Sequence, residues 1–323
     1  MQIPDELVKI LRSIIYSEIN NENIHEAVKL WLLNRDECLK IYGHISDWDV
    51  SNVTDMTSLF GCLMFGRETY EHLQAINNFN DDISEWNVSN VTNMSCMFYY
   101  CEKFNADISK WNVSKVRNMS WMFRHAEKFN ADISNWDVSN VTDISWMFYG
   151  AKDFNQNLNN WNVSNVTDME KLFEQAESFN SDLNNWNTSN VTNMEDVFHR
   201  AKNFNGYISN WDVSKVTNMK RMFRDAENFN QNLNNWNTSS VITMEDMFYN
   251  AKSFNSPLNN WNTSNVIDMS GMFLLAESFN QDLDNWNISN VENMRDMLYM
   301  TVNMNGKLPK GISDDVREGH GFL

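Results

Sequence analysis

The chain has 323 residues and a net charge of −18, because 43 acidic side chains outnumber 25 basic ones. A surface of this sign repels nucleic acid phosphates and anionic lipid headgroups, so we expect neither as a partner. The sequence has no apolar run of about 18 residues, which excludes a membrane-spanning helix, and its four cysteines lack the spacing of a metal or redox site.

The segment 1–43 precedes the repeats and predicts an α-helical cap. Residues 5–19 place three apolar side chains on one helical face, and a second helical region is predicted over 24–43. A cap of this kind covers the open end of a repeat array, and a docking module is the alternative. The segment lacks the basic region and the small-residue cleavage site of a secretory signal, so we expect a cytoplasmic protein with reduced thiols.

Residues 44–308 form a tandem repeat of ten copies with a period of 25 residues. A 13-residue insertion near 61–76 separates the first copy from the second. A strict period of this length predicts a repeat architecture. One tryptophan marks each copy, namely Trp48, Trp86, Trp111, Trp136, Trp161, Trp186, Trp211, Trp236, Trp261 and Trp286. The pattern fades over 309–323, which we predict to be a C-terminal cap and tail.

Within a copy, counted from its tryptophan, the apolar positions predict two kinds of secondary structure. The tryptophan and the apolar plus 2 residue point the same way on an extended strand. From plus 5 the apolar spacing becomes 3, 3, 1, 3, which matches one face of a helix. Serine at plus 3 is placed to cap that helix or to form a ladder. A Phe-Asn pair at plus 18 and 19 is expected to pack under the return loop and to satisfy backbone groups of a neighbouring coil.

Stacked in register, these units predict an α/β solenoid. We expect a leucine-rich-repeat-like, right-handed superhelix with a parallel β-sheet on one face, short helices on the other and an α-helical N-terminal cap. The phrase I-x-x-W-x-V-S-N-V resembles the L-x-x-L-x-L opening of a leucine-rich repeat.

The longer pattern W-[DN]-[VT]-S-[NK]-V-x-[DN]-M-x-x-M-F resembles the 25-residue repeats of BspA-like leucine-rich-repeat surface proteins, over about residues 45 to 308. That family occurs in bacteria, protists and giant DNA viruses. The resemblance implies a leucine-rich-repeat-like fold and a role in adhesion or protein interaction, without catalysis. Because a lipoprotein signal and a wall anchor are missing, a giant-virus or protist member, in host cytoplasm or in a virion, fits better than a bacterial surface protein.

The polar columns predict a binding face rather than a catalytic site. A serine nucleophile needs a base within hydrogen-bond reach, and the six histidines follow no repeat position. We therefore expect neither an enzyme nor a cofactor. The plus 1 column is predicted to line a polar sheet face, which leaves a solvated surface, glycan recognition and calcium binding as alternatives. Its central members are Asp137, Asn162, Asn187 and Asp212.

A second candidate site comes from residues that break the repeat. Position plus 10 lies opposite the buried face of the predicted helix, and two neighbouring copies place Trp121 and Trp146 there. Tyr99, Tyr100 and Tyr149 lie one turn further on. Adjacent exposed aromatic side chains predict a protein-contact patch, unless loops or the insertion cover them.

These features favour a non-enzymatic repeat scaffold that binds a protein partner, with self-association as one form of it. The alternative is a surface adhesin or glycan-binding protein that uses the polar sheet face.

Overall fold

A computed structural model describes residues 15–61, 69–312 and 316. Most of the helix predicted over 5–19, part of the insertion and most of the tail lie outside these residues. The helices are α1 (Ile24–Leu33), α2 (Arg35–Ile41) and α3 (Tyr70–Asn78), with a 3-10 turn at Ile45–Asp47.

The first two helices lie in the N-terminal segment predicted to be helical, and α1 packs against the first repeat. Asn34 separates them, and its side chain accepts the backbone N–H of Glu37 as the N-cap of α2. The indole of Trp31 donates to Asp81 Oδ2 at 2.9 Å and packs edge-on against Trp48 at 6.3 Å between ring centroids. The residues that α1 buries share one face of the helix; they are Ile24, Ala27, Val28 and Trp31.

The repeats are not built from strands and helices. No β-strand occurs in the described part of the chain, and none of the residues 79–312 is helical. The prediction of an α/β solenoid of the leucine-rich-repeat type is therefore wrong. Neighbouring copies share only one isolated parallel bridge each, at plus 7, as between Asn118 and Asp143.

Each copy is instead a succession of tight turns, closed by backbone N–H groups that donate to the carbonyl three residues earlier. Turns of this kind place their first and last residues three apart, so buried residues recur at a spacing of three. The helix was predicted from this spacing, because the apolar residues on one face of a helix also recur about every three to four positions. The fourth copy has five such turns, each with an N···O distance of 2.9 to 3.2 Å. They span residues 133–136, 138–141, 144–147, 148–151 and 151–154.

Two residues in each complete turn series adopt the left-handed backbone conformation, at plus 10 and plus 14. Trp121 and Trp146 have φ of 62° and 61°, and His125 has φ of 57°. A residue in this conformation interrupts a helix or a strand, and the conformation is unfavourable for bulky side chains. Bonds to the next copy hold them in place: the N–H of Trp121 donates to the Ser145 carbonyl at 3.0 Å.

Backbone hydrogen bonds join the copies although no sheet forms. From the second to the ninth copy, N–H groups at plus 8, 10, 12 and 14 donate to carbonyls at plus 7, 9, 11 and 13 of the next copy, except at plus 8 of the fourth copy. These bonds leave the buried turns with paired backbone groups. Between the second and third copies they run from Met94, Cys96, Phe98 and Tyr100 to Asn118, Ser120, Met122 and Arg124, each at 2.9 Å.

Side-chain ladders follow the same axis. The Trp136 indole donates to the Ile108 carbonyl of the preceding copy at 3.1 Å and stacks on Trp161 at 6.5 Å. Asn105 Oδ1 accepts the N–H of Asn130 at 2.8 Å. The predicted role of the Phe-Asn asparagines in satisfying a neighbouring coil is confirmed by this ladder. The side chains of these repeated columns therefore stabilise the fold by bonding to neighbouring copies.

Candidate interaction site

The plus 1 column is exposed but serves the turns. Each side-chain oxygen accepts the backbone N–H of the serine two residues on, which forms an Asx turn. The distances are 3.1 Å for Asp137, 3.2 Å for Asn162, 3.2 Å for Asn187 and 3.0 Å for Asp212. Hydrogen bonds from the Ser139 hydroxyl and N–H lower the pKa of Asp137. These side chains close turns, and the described residues form no sheet for them to line, while ligand binding by this exposed column stays a prediction.

The residues that differ most between copies occupy plus 9, 10, 13 and 14, and we call these columns the variable strip. In the second to fourth copies the strip is largely aromatic, and from the fifth to the eighth it is largely charged. Ring contacts and ion pairs connect its members from copy to copy. The strip is therefore the surface on which this scaffold presents different chemistry along its length.

The structure brings the five predicted aromatic residues together as an aromatic patch, defined by Tyr99, Tyr100, Trp121, Trp146 and Tyr149. The rings of Trp121 and Trp146 stack at 4.7 Å with an interplanar angle of 14°. Tyr99 meets Tyr100 edge-on at 4.5 Å and Trp121 at 6.0 Å. Tyr149 lies 5.4 Å from Trp146. Stacking between copies thus makes one continuous cluster.

The patch differs from the prediction in two respects. Its residues lie on turns and not on helices, because plus 10 is a left-handed turn residue. Tyr99 is buried, with 6 % of its surface exposed, and supports the cluster from below. The other four side chains are partly exposed.

Arg124 lies at the centre of this patch and was missed by the sequence analysis. Its guanidinium carbon is 4.1 Å from the ring centroid of Trp121, 4.6 Å from Trp146, 4.7 Å from Tyr149 and 5.3 Å from Tyr99. Its Nε and Nη1 are buried and have no hydrogen-bond partner among the described residues. The ring faces, with their negative electrostatic potential, therefore hold this cation.

His125 closes one side of the patch as a neutral ring. It stacks on Tyr100 at 4.6 Å and meets Tyr149 edge-on at 4.9 Å. Burial, and then the neighbouring Arg124 charge, lower the pKa of His125 to about 4. Gly150 leaves room for it, because a Cβ there would lie 2.6 Å from His125 Nδ1.

Lys171 marks the transition from the aromatic to the charged part of the strip. Its Nζ lies 4.1 Å from the ring centroid of Trp146 and 3.1 Å from Glu170 Oε1. Together with Arg124 it gives the patch two cations on a chain whose net charge is −18. Chemically, the patch offers flat apolar faces beside fixed positive charge.

Within the described ranges, no helix is both long and apolar enough to cross a membrane.

Comparison with known proteins places the chain in a family. No curated protein matches the chain. A family model described as "Mycoplasma protein of unknown function, DUF285" matches residues 36–67, 67–186, 169–262 and 233–318. Because these tandem matches together run from residue 36 to residue 318 and coincide with the repeats, the chain belongs to this repeat family.

Proposed function

We propose that this protein is a non-enzymatic repeat scaffold that binds a partner protein through the aromatic patch. The observation that carries the proposal is Arg124, held among four aromatic rings on the variable strip. Tryptophan, tyrosine and arginine contribute most of the binding free energy at protein interfaces. A cluster already stacked in the free protein loses little conformational entropy on binding.

The chemistry of the patch also defines the class of partner. Arg124 and Lys171 attract carboxylates, and the ring faces of Trp121 and Trp146 favour flat or apolar side chains. We therefore propose an acidic protein segment that also carries an aromatic or aliphatic side chain. Its carboxylate would pair with the cations while its apolar group covers the indoles.

The polar columns support a structural role better than catalysis or glycan binding. Ser114 Oγ donates to Asn112 Oδ1 at 2.7 Å, within one turn of the backbone. Glycan recognition by the plus 1 column is the less favoured alternative, because one oxygen of each side chain is already engaged in an Asx turn.

The proposal also covers the relatives of the chain, its source and its location in the cell. The W-[DN]-V-S-N-V pattern supports a relationship to the BspA-like proteins, and a giant-virus or protist origin with a cytoplasmic location is the version we favour. The neighbouring genes in its genome and the location of the tagged protein test both statements.

The binding proposal is tested by removing the two stacked indoles. Partners captured from extracts of cells that produce the protein are purified, and their Kd is measured for the wild type and for Trp121→Ala plus Trp146→Ala. We expect the double variant to weaken binding by at least about thirtyfold, the effect of losing one hot spot of about 2 kcal/mol. Tyr249→Ala is the matched control, because Tyr249 is a plus 13 ring 4.2 Å from the guanidinium carbon of Arg224 outside the patch.

Thermal melts establish that each variant is folded. Full binding by a folded double variant would refute the assignment of the patch. Equal losses in the double variant and in Tyr249→Ala would show that the strip as a whole, and not this patch, recognises the partner.

A further inference from the structure

At the junction of the fifth and sixth copies, the variable strip brings together three side chains with the chemistry of metal ligands. His199 Nδ1 lies 3.1 Å from Glu174 Oε1 and 3.2 Å from Asp196 Oδ1. One potential ligand atom from each residue lies within 4.8 Å of the other two. The residues are buried, with 5 % of Glu174, 1 % of Asp196 and 9 % of His199 exposed.

A second observation shows that this cluster is not satisfied by the protein itself. Neither ring nitrogen of His199 has a hydrogen-bond partner in the described ranges, and neither has Glu174 Oε2. The two oxygens beside Nδ1 are close to it but do not accept a hydrogen bond from it. Buried polar atoms normally find partners, because leaving one unpaired costs about 1–3 kcal/mol. Glu174 Oε2 has no partner among the described residues, and His199 Nδ1 has only ion-pair contacts, so both can serve as ligand atoms.

The three groups are close enough to share one ion. Zinc binds imidazole nitrogen and carboxylate oxygen at about 2.0–2.2 Å in tetrahedral geometry, which places two ligand atoms roughly 3.3–3.6 Å apart. The separations of 3.1 and 3.2 Å around Nδ1 are slightly shorter, so a small outward movement of the two carboxylates would admit the ion.

We propose that Glu174, Asp196 and His199 bind one divalent transition-metal ion of the zinc class. One imidazole and two carboxylates give three protein ligands and leave a fourth position for water or for a group of a bound partner. The nitrogen ligand favours zinc, cobalt or nickel over calcium and magnesium, which require more oxygen ligands.

Neighbouring residues are placed to support the ligands. Asp225 Oδ2 lies 3.6 Å from His199 Nε2, on the side of the ring that would face away from the ion. A carboxylate at this position orients a metal-binding imidazole. Arg221 donates to Asp196 from Nε at 2.9 Å and from Nη2 at 2.8 Å, which fixes the carboxylate.

Isothermal titration of the metal-free full-length protein with Zn²⁺ tests the proposal. We expect one saturable site per chain at pH 7.5. His199→Gln and Glu174→Gln should each weaken the affinity by at least about tenfold. His125→Gln is the control and should leave the affinity unchanged, since that ring is surrounded by aromatic groups. Mg²⁺ should produce no saturable binding.

Two results would overturn the assignment: no saturable binding of Zn²⁺, or binding that neither variant weakens, which indicates scattered surface acids. Co²⁺ gives an independent readout, because its visible absorption is strong in a four-coordinate site and weak when it is hydrated. If His199→Gln does not fold, Glu174→Gln and the Co²⁺ spectrum decide the question. None of these results depends on the partner bound at the aromatic patch.

Discussion

At the scale of single residues, the repeat separates side chains that maintain the fold from those that are free to vary. Trp121 and Trp146 were found from sequence because they break a column that is otherwise polar or small, and the three tyrosines because they lie one turn further on. Arg124 was not found, because a lone cation at plus 13 is typical of a solvated surface. Its role depends on Trp146, which belongs to the next copy, so it appears only when the spacing between copies is known. The cluster of Glu174, Asp196 and His199 was missed for the same reason.

His125 gives a prediction about pH at this scale. Its pKa is about 4 in the folded protein and 6.5 in the unfolded chain, so its stabilising effect is complete above pH 6.5 and is lost as the pH falls towards 4. We expect the wild type to lose more stability than His125→Gln between pH 7.5 and pH 4.5, by on the order of 2 kcal/mol. Urea unfolding at both pH values measures this difference. A wild type and variant that lose equal stability would show that this ring is not held neutral.

At the scale of the elements, the sequence predicted the positions of the columns but not the secondary structure that connects them. The period, the buried tryptophans and the helical segment before the repeats were all evident. The predicted helix was wrong because turns closed over three residues give buried residues a spacing similar to that of a helix. The predicted strand was wrong because the Trp136–Val138 segment only connects two such turns. The dense asparagine, aspartate and serine content was the signal for turns, since these side chains bond to nearby backbone groups.

The asparagine ladder gives the prediction for this scale. Asn130 Oδ1 accepts the N–H of Asn155 at 2.9 Å and Nε2 of Gln156 at 2.9 Å. Asn130→Ala should therefore reduce the free energy of unfolding by about 0.5–1.5 kcal/mol, the net contribution of one hydrogen bond, because the amide of the next copy must pair with water instead. Chemical denaturation measures the change. Glu85→Gln is the control, since Glu85 forms an exposed ion pair and should contribute about 0–1 kcal/mol. A ladder that contributes no more than this pair would contradict the role assigned to it.

At the scale of the whole molecule, one strip carries the change from aromatic to charged side chains along the repeats. An acidic chain with a local aromatic and cationic patch is suited to select an acidic partner, and a rigid stack presents that patch already formed. The polar plus 1 column is more exposed than the patch, but one oxygen of each side chain is engaged in a turn. We therefore predict that binding is confined to one side of the repeats.

The most direct test of this claim is photo-crosslinking from the two competing surfaces. A benzophenone amino acid is introduced in place of Tyr100 on the variable strip, or in place of Asn187 in the plus 1 column, and the protein is irradiated in cells that produce it. We predict a defined cross-linked partner from position 100, lost when Trp121→Ala is added, and none from position 187. A partner captured equally from position 187, or captured from position 100 regardless of Trp121, would contradict the account.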